Sequence, residues 1–163
     1  MTQNDQFIKR DRMRYTKDGF SSGLVLLAIV FNVLYFVSIY QSDVGSYYYT
    51  WTIGASVIYN LLFLLIAFLA SQGVKNRKSG YSLTLLIIGL LQIVRIFYLP
   101  AKAHAATATI GKDVLQVMTD GQYTYVVVCL VASAACCVVA AVSSYISNKQ
   151  LAQHLRQLEN QTA

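Results

Sequence analysis

The sequence predicts an all-α polytopic membrane protein. Four transmembrane helices form an antiparallel bundle with both termini in the cytoplasm, and a short amphipathic helix follows at the C-terminus. Three observations predict it. Of 163 residues, 56% are apolar and only 12% charged, against roughly 25% charged in a soluble domain. Four continuous apolar runs each reach the length of about 20 residues that a helix needs to cross a hydrocarbon core of about 30 Å. The basic residues, which give a net charge of +6, gather on one side of those runs. Together these figures exclude a disordered chain and weigh against a soluble enzyme.

The N-terminal segment, residues 1–19, carries Lys9, Arg10, Arg12, Arg14 and Lys17. The first span follows at 20–40. It is too long for a signal-peptide apolar region and no small-x-small cleavage site follows it, so it reads as a retained signal anchor. The second span is 51–71. The third, 80–99, contains Arg95 and is expected to stop at Pro100, the chain's single proline. The fourth is 124–146, which makes 20–146 the membrane domain. The runs are continuous rather than alternating, and backbone groups in lipid must be satisfied within their own segment, so helices are expected rather than strands. A polar tail, 147–163, carries Leu151, Leu155 and Leu158 at helical spacing and is expected to extend the fourth span before lying on the membrane or a partner. Asn160-Gln161-Thr162 matches a glycosylation acceptor, but on the side assigned to the cytoplasm.

Orientation follows from the charges. Ten of the 13 Lys and Arg residues lie in the N-terminal segment, in the loop with Lys75, Arg77 and Lys78, or in the tail with Lys149 and Arg156. Lys102 and Lys112 stand opposite. The positive-inside rule then places both termini in the cytoplasm of a plasma membrane. Anionic headgroups account for the basic N-terminal run, which has no aromatic platform for nucleic acid. On the side assigned to the exterior, Tyr47, Tyr48, Tyr49 and Trp51 cluster. They read as an interfacial belt or, more sharply, as a docking surface for a partner or a sugar. In the longer external segment, 112–119 is expected to form a short helix between Gly111 and Gly121.

Polar residues at membrane depth are functional candidates by default. Asn32, Tyr35, Ser56, Asn60, Gln92 and Arg95 form the candidate cluster, with Thr52, Ser56 and Asn60 on one helical face. Asn32, Asn60 and Gln92 fall near the midplane, where they serve either as interhelical hydrogen-bonding glue or as the lining of a solute cavity. Arg95 lies four residues before Leu99, roughly 6 Å from the expected helix end. It either snorkels to that end beside Tyr98 or Asp43, or meets an anion, a headgroup or a partner's acid. Asn32 and Gln92 stand sixty residues apart in spans one and three, a faint sign of a duplicated hairpin.

The fourth span is built from small residues. Cys129, Ser133, Cys137 and Ala141 form one small-xxx-small series, the candidate helix-packing interface, and positions 132, 136, 140 and 144 form a second. The cysteines match no zinc or iron–sulfur spacing and read as small buried hydrophobes. No Asp or Glu lies in a span, which argues against a carboxylate proton relay. His104 and His154 lie outside the spans and cannot ligate a haem within them. No phosphate loop, metal cluster or catalytic triad is present, so no cofactor and no enzymatic activity is expected.

Arg12-Met13-Arg14-Tyr15, Asn32-Val33-Leu34-Tyr35-Phe36-Val37-Ser38-Ile39-Tyr40 and Val94-Arg95-Ile96-Phe97-Tyr98 resemble uncharacterised small four-span integral membrane proteins of Gram-positive bacteria. The likeness covers mainly the first hundred residues. It implies the four-span fold and a bacterial plasma membrane, and transfers no functional residue. Two functions remain in view. One is a non-enzymatic integral membrane subunit or accessory protein packed in a complex or a homo-oligomer. The alternative is a small oligomeric transporter or channel for a neutral or anionic solute, using the polar groups of spans one to three. A lipid-directed enzyme ranks last, since no acid–base pair lies at an interface.

Overall fold

The computed structural model describes residue 5 and residues 17–41, 50–105, 107–110, 113–116 and 118–162. Four helices dominate it: α1 (Gly19–Gln41), α2 (Thr50–Lys75), α3 (Gly80–Ala105) and α4 (Asp120–Thr162). All four are long and apolar enough to cross a membrane, and the chain is accordingly a multi-pass membrane protein with its helices packed as a bundle.

Local chemistry fixes where α1 begins and α2 ends. Asp18 caps α1: its carboxylate accepts the Ser21 N–H at 3.1 Å and the Ser21 hydroxyl at 2.8 Å, supplying an acceptor that the first turn lacks. The Asp18 N–H in turn donates to the Lys75 carbonyl at 3.1 Å, tying the start of α1 to the end of α2. That end is a Schellman turn. Arg77 N–H reaches the Val74 carbonyl at 2.9 Å, and Lys78 N–H reaches the Gly73 carbonyl at 3.0 Å. Arg77 takes the left-handed conformation, φ 53°, that this turn requires and that glycine usually occupies.

Three sequence expectations are corrected. First, α3 does not stop at Pro100 but runs through it to Ala105. Proline leaves the Ile96 carbonyl without its intrahelical donor, but Pro100 is buried, and Leu99 and Ala103 pack with Met118 and Val126 in one apolar cluster. That packing holds the added turn. Second, the segment expected as a short helix at 112–119 contributes to a hairpin instead. β1 (Thr107–Ile110) pairs antiparallel with β2 (Asp113–Gln116), Ile110 opposite Asp113, a short hairpin in an otherwise all-helical fold. Thr107, Thr109, Ile110 and Val114 are β-branched and favour extended backbone. A two-residue connection beginning with Gly111 also has the composition of a tight hairpin. Third, the tail extends the fourth span, as expected, but does so without a break into a separate amphipathic helix. It is the last part of α4, which spans 43 residues, roughly 65 Å at 1.5 Å per residue.

Two apolar clusters fill the bundle. One joins Val25 and Ala28 of α1, Phe63, Ala67, Ala70 and Val74 of α2, Leu85 and Ile88 of α3, and Cys137, Ala140 and Ala141 of α4. The other joins Tyr35 and Ile39, Ile96, Leu99 and Ala103, and Met118, Val126, Cys129 and Leu130. The interior favours small side chains, whereas Leu26, Val30, Leu61, Leu65, Leu90 and Val94 point outward. This is the distribution expected where lipid is the solvent: burying Leu against Leu gains little there, and close backbone approach is what holds helices together. Serine hydroxyls reinforce the cluster near the α2–α3 turn. Ser22 and Ser71 are 2.8 Å apart, Ser82 donates to Ser144 at 2.9 Å, and the Ser21 and Ser143 hydroxyls are 3.1 Å apart.

α3 passes close to α4 at Gly89. A Cβ there would stand 3.1 Å from the Cys137 Cβ and 3.3 Å from the Ala134 carbonyl oxygen. Gly89→Leu is therefore expected to destabilise the bundle by about 1–3 kcal/mol through overpacking. Gly54→Ala, at a position with open space, should leave stability unchanged or raise it by about 0.5–1 kcal/mol. Thermal unfolding in mild detergent measures both, and equal effects would refute the close approach.

Candidate functional site

Between the two apolar clusters lies a polar layer, with one residue each from α1 and α2 and two from α3. Asn32 falls between Ala28 and Tyr35 on α1, Asn60 just before Phe63 on α2, and Gln92 and Arg95 between Ile88 and Ile96 on α3. Gln92 Nε2 donates to Asn32 Oδ1 at 3.0 Å, and Asn32 Nδ2 to Asn60 Oδ1 at 3.4 Å. Arg95 Nη1 donates to Asn60 Oδ1 at 2.7 Å and to Asn32 Oδ1 at 3.4 Å. The two carboxamides sixty residues apart in the sequence are thus bonded to each other.

Arg95 is the centre of this layer. It is 8% exposed, and its guanidinium carbon stands 4.4 Å from the Tyr35 ring centroid and 4.7 Å from that of Tyr59. The side chain turns across to α1 and α2 rather than snorkelling along α3, which corrects that expectation. The reason is geometric as well as chemical. With α3 continuing to Ala105, Arg95 lies ten residues, about 15 Å, from the helix end. Amide oxygens and aromatic faces are nearer than that end, and both attract a cation. The charge also fixes the amides: turning either of them over would set an NH₂ donor against the guanidinium. Tyr98 stacks with Lys102 instead, whose Nζ lies 4.5 Å from the ring centroid. Asp43, the other expected neighbour, lies outside the described residues.

Not every polar atom in the layer is satisfied. Among the described residues, Ser56 Oγ, Asn60 Nδ2 and Gln92 Oε1 are buried without a hydrogen-bond partner. Ser56, itself 8% exposed, lines a cavity of about 320 Å³ between α2 and α3. The α2 wall is Ala55, Ser56 and Tyr59, and the α3 wall is Leu91, Val94, Arg95, Tyr98 and Leu99. All six residues of the candidate cluster are therefore buried in one part of the bundle, and one edge of that part opens into a cavity.

The other candidates fare differently. Cys129, Ser133, Cys137 and Ala141 are buried inside the bundle. Ser133 donates to the Ala28 carbonyl of α1 at 2.9 Å, and Cys137 faces Gly89 of α3. Of the second series, Ala140 and Ser144 are buried as well. These small residues serve the chain's own packing. The side chains of Tyr47, Tyr48, Tyr49 and Trp51, and of Thr52, lie outside the described residues. His104 joins the end of α3 to the start of α4. Its Nε2 lies 2.8 Å from Asp120 Oδ1, and its ring centroid is 4.5 Å from that of Tyr123.

The sequence reading missed Tyr59, the second ring on Arg95, and the serine pairs. Tyr59 carried a usable signal: a tyrosine in the interior of a span, next to Asn60, cannot belong to an interfacial belt. Ser22, Ser71 and Ser82 carried a weaker one, as small polar residues within apolar helices. No protein-family model, curated protein or solved structure matches the chain, so its chemistry is argued from its own residues.

The short Arg95–Asn60 bond dictates a test. Asn60→Leu leaves a buried guanidinium without its nearest acceptor and is expected to cost about 1.5–3 kcal/mol, the range for a hydrogen bond to a charge. The double variant Asn60→Leu/Arg95→Met should cost much less than the two single changes added together, because no buried charge remains. Ser22→Ala should cost only about 0.6 kcal/mol. Unfolding in detergent supplies all the values, and simple additivity of the Asn60 and Arg95 changes would refute the coupling.

Proposed function

We propose that the chain is a non-enzymatic multi-pass subunit or accessory protein of a plasma-membrane complex, with both termini in the cytoplasm. The observation that carries the reading is the mutual bonding of Asn32, Asn60, Gln92 and Arg95. Groups that line a conducting path exchange hydrogen bonds with what passes, whereas these exchange them with one another. Their arrangement supports a rigid bundle that offers its outer surface to a partner. The inward packing of the α4 small residues directs attention away from that helix's small faces and toward the large apolar surface as the place where a partner sits. The distribution of Lys and Arg supports the orientation.

A second reading, binding of a neutral or anionic solute, draws support from the α2–α3 cavity and its unsatisfied Ser56 hydroxyl. The subunit reading is tested by what the chain is bound to. Extraction in a gentle detergent followed by sizing and native mass spectrometry should return the chain together with a second membrane protein or with copies of itself. A lone monomer extracted intact would overturn the subunit reading. Reporter fusions after residue 163 and in the 106–117 segment should give cytoplasmic and external signals respectively, and the reverse pattern would overturn the orientation.

A further inference from the structure

The inward face of α4 outlasts the bundle. Cys137, Ala140 and Ser144 are buried among the other helices. Asn148, Leu151 and Leu155 follow at the same helical spacing. These three and His154 are half-buried, whereas Gln150, Gln153 and Gln157 on the opposite side are exposed. Both polar atoms of the Asn148 amide, and Nε2 of His154, are buried without a hydrogen-bond partner among the described residues. A one-sided apolar stripe needs a surface to pack against, and buried polar atoms need donors and acceptors.

The contacts of the neighbouring elements show what stands nearest to this face. Ser133 of α4 donates to the Ala28 carbonyl of α1, and ten residues further along α4 the Ser143 hydroxyl is 3.1 Å from that of Ser21. Read forward, α4 thus keeps step with α1 read backward, which brings Lys17 level with about Ser147. Arg77 Nη1 of the α2–α3 turn, 3.4 Å from the Ser147 carbonyl, marks the same level. Beyond it α4 runs on to Thr162, about 21 Å past Asn148 at 1.5 Å per residue. The sixteen residues before Lys17 start beside that stretch. At helical rise they measure about 24 Å, enough to follow it throughout. They are mostly polar and basic but include Phe7, Ile8, Met13 and Tyr15. A bilayer does not cover the stripe: the tail continues α4 without a break and so leads away from the membrane-crossing part. A second copy would have to enter beneath the bundle to reach it, whereas the N-terminal segment starts there.

We propose that residues 1–16 dock on the inward face of the α4 extension and brace it beyond the bundle, with Met13 against Leu151 and with Phe7 and Ile8 against Leu155. Met13 stands four residues before Lys17, and Leu151 four after Ser147, so equal rise brings them together. Phe7 and Ile8 stand ten and nine before Lys17, and Leu155 eight after Ser147. The segment's amides, hydroxyls and guanidinium groups supply partners for Asn148 and His154. The docking rests neither on the subunit reading nor on which side of the membrane holds the termini.

The test uses the full chain in phosphatidylcholine nanodiscs. The photoreactive residue p-benzoylphenylalanine replaces Leu155 on the inward face or Gln153 on the exposed one, and mass spectrometry locates the adducts after illumination. The probe at position 155 is expected to attach within residues 1–16, and moving it to position 153 should lose that attachment. Mixing isotopically labelled and unlabelled chains separates attachment within one chain from attachment between two. A chain that also carries Phe7→Gln and Ile8→Gln should lose the adduct from position 155 yet enter nanodiscs as the wild type does. Adducts from position 155 to lipid or to a second chain overturn the proposal. So do equal adducts from both positions, the absence of any adduct, and an adduct indifferent to the double substitution. Entry into nanodiscs is read in the same experiment, so a failure of the membrane reading is distinguishable from a failure of the docking.

Discussion

A guanidinium held inside an apolar bundle must be solvated by the protein itself, and much of this architecture follows from that requirement. Placing an arginine at the centre of a membrane helix costs about 2.5–3.5 kcal/mol on insertion scales. Here α3 supplies the charge and the two neighbouring helices supply its surroundings: oxygens from Asn32 and Asn60 and ring faces from Tyr35 and Tyr59. No single helix can provide such a shell. The rotation and height of α1 and α2 relative to α3 are consequently set by one side chain, since a slip of one residue in any of them would carry the amides away from the cation. Nonspecific apolar packing carries no such instruction, because one leucine face in lipid is nearly equivalent to another.

The fourth helix solves a different problem. Its small residues let two helices approach it at once. Ser133 meets the α1 backbone, while Cys137 and Ala134 meet Gly89 of α3. Small residues on two faces of α4 therefore produce close contact with α1 on one side and α3 on the other. The α2–α3 seam combines two other kinds of contact. It is bridged by the Arg95–Asn60 bond and flanked by a cavity. Specific polar contact and loose packing occur together there because a long, branched cation cannot fill space as closely as interlocking alanines do.

How far the sequence could be read depends on which force decided each feature. Four helices were legible because twenty-residue apolar runs have no alternative in lipid. The membership of the polar cluster was legible because carboxamides and an arginine are rare at such depth. The direction of the Arg95 side chain was not. It depends on the distance to the helix end, which was underestimated because the passage of α3 through Pro100 is decided by tertiary packing around Leu99 and Ala103. The hairpin at 107–116 was missed because Lys112 to Thr119 was judged for helical spacing, while its β-branched partner strand and the intervening Gly111 favoured pairing. The serine contacts were illegible for a simpler reason: a single serine in an apolar helix does not indicate which neighbour it will meet.

The same layer bears on what can move through the molecule. Asn32 Oδ1 receives both Gln92 and Arg95, and Asn60 Oδ1 receives both Asn32 and Arg95. A solute travelling along the bundle axis would have to displace charge-assisted bonds worth about 1.5–3 kcal/mol each and would leave the guanidinium temporarily short of acceptors. The cavity between α2 and α3 lies at the edge of the layer, with a largely apolar wall, and occupying it breaks none of these bonds. The energetics therefore weigh against axial passage of a solute through this layer.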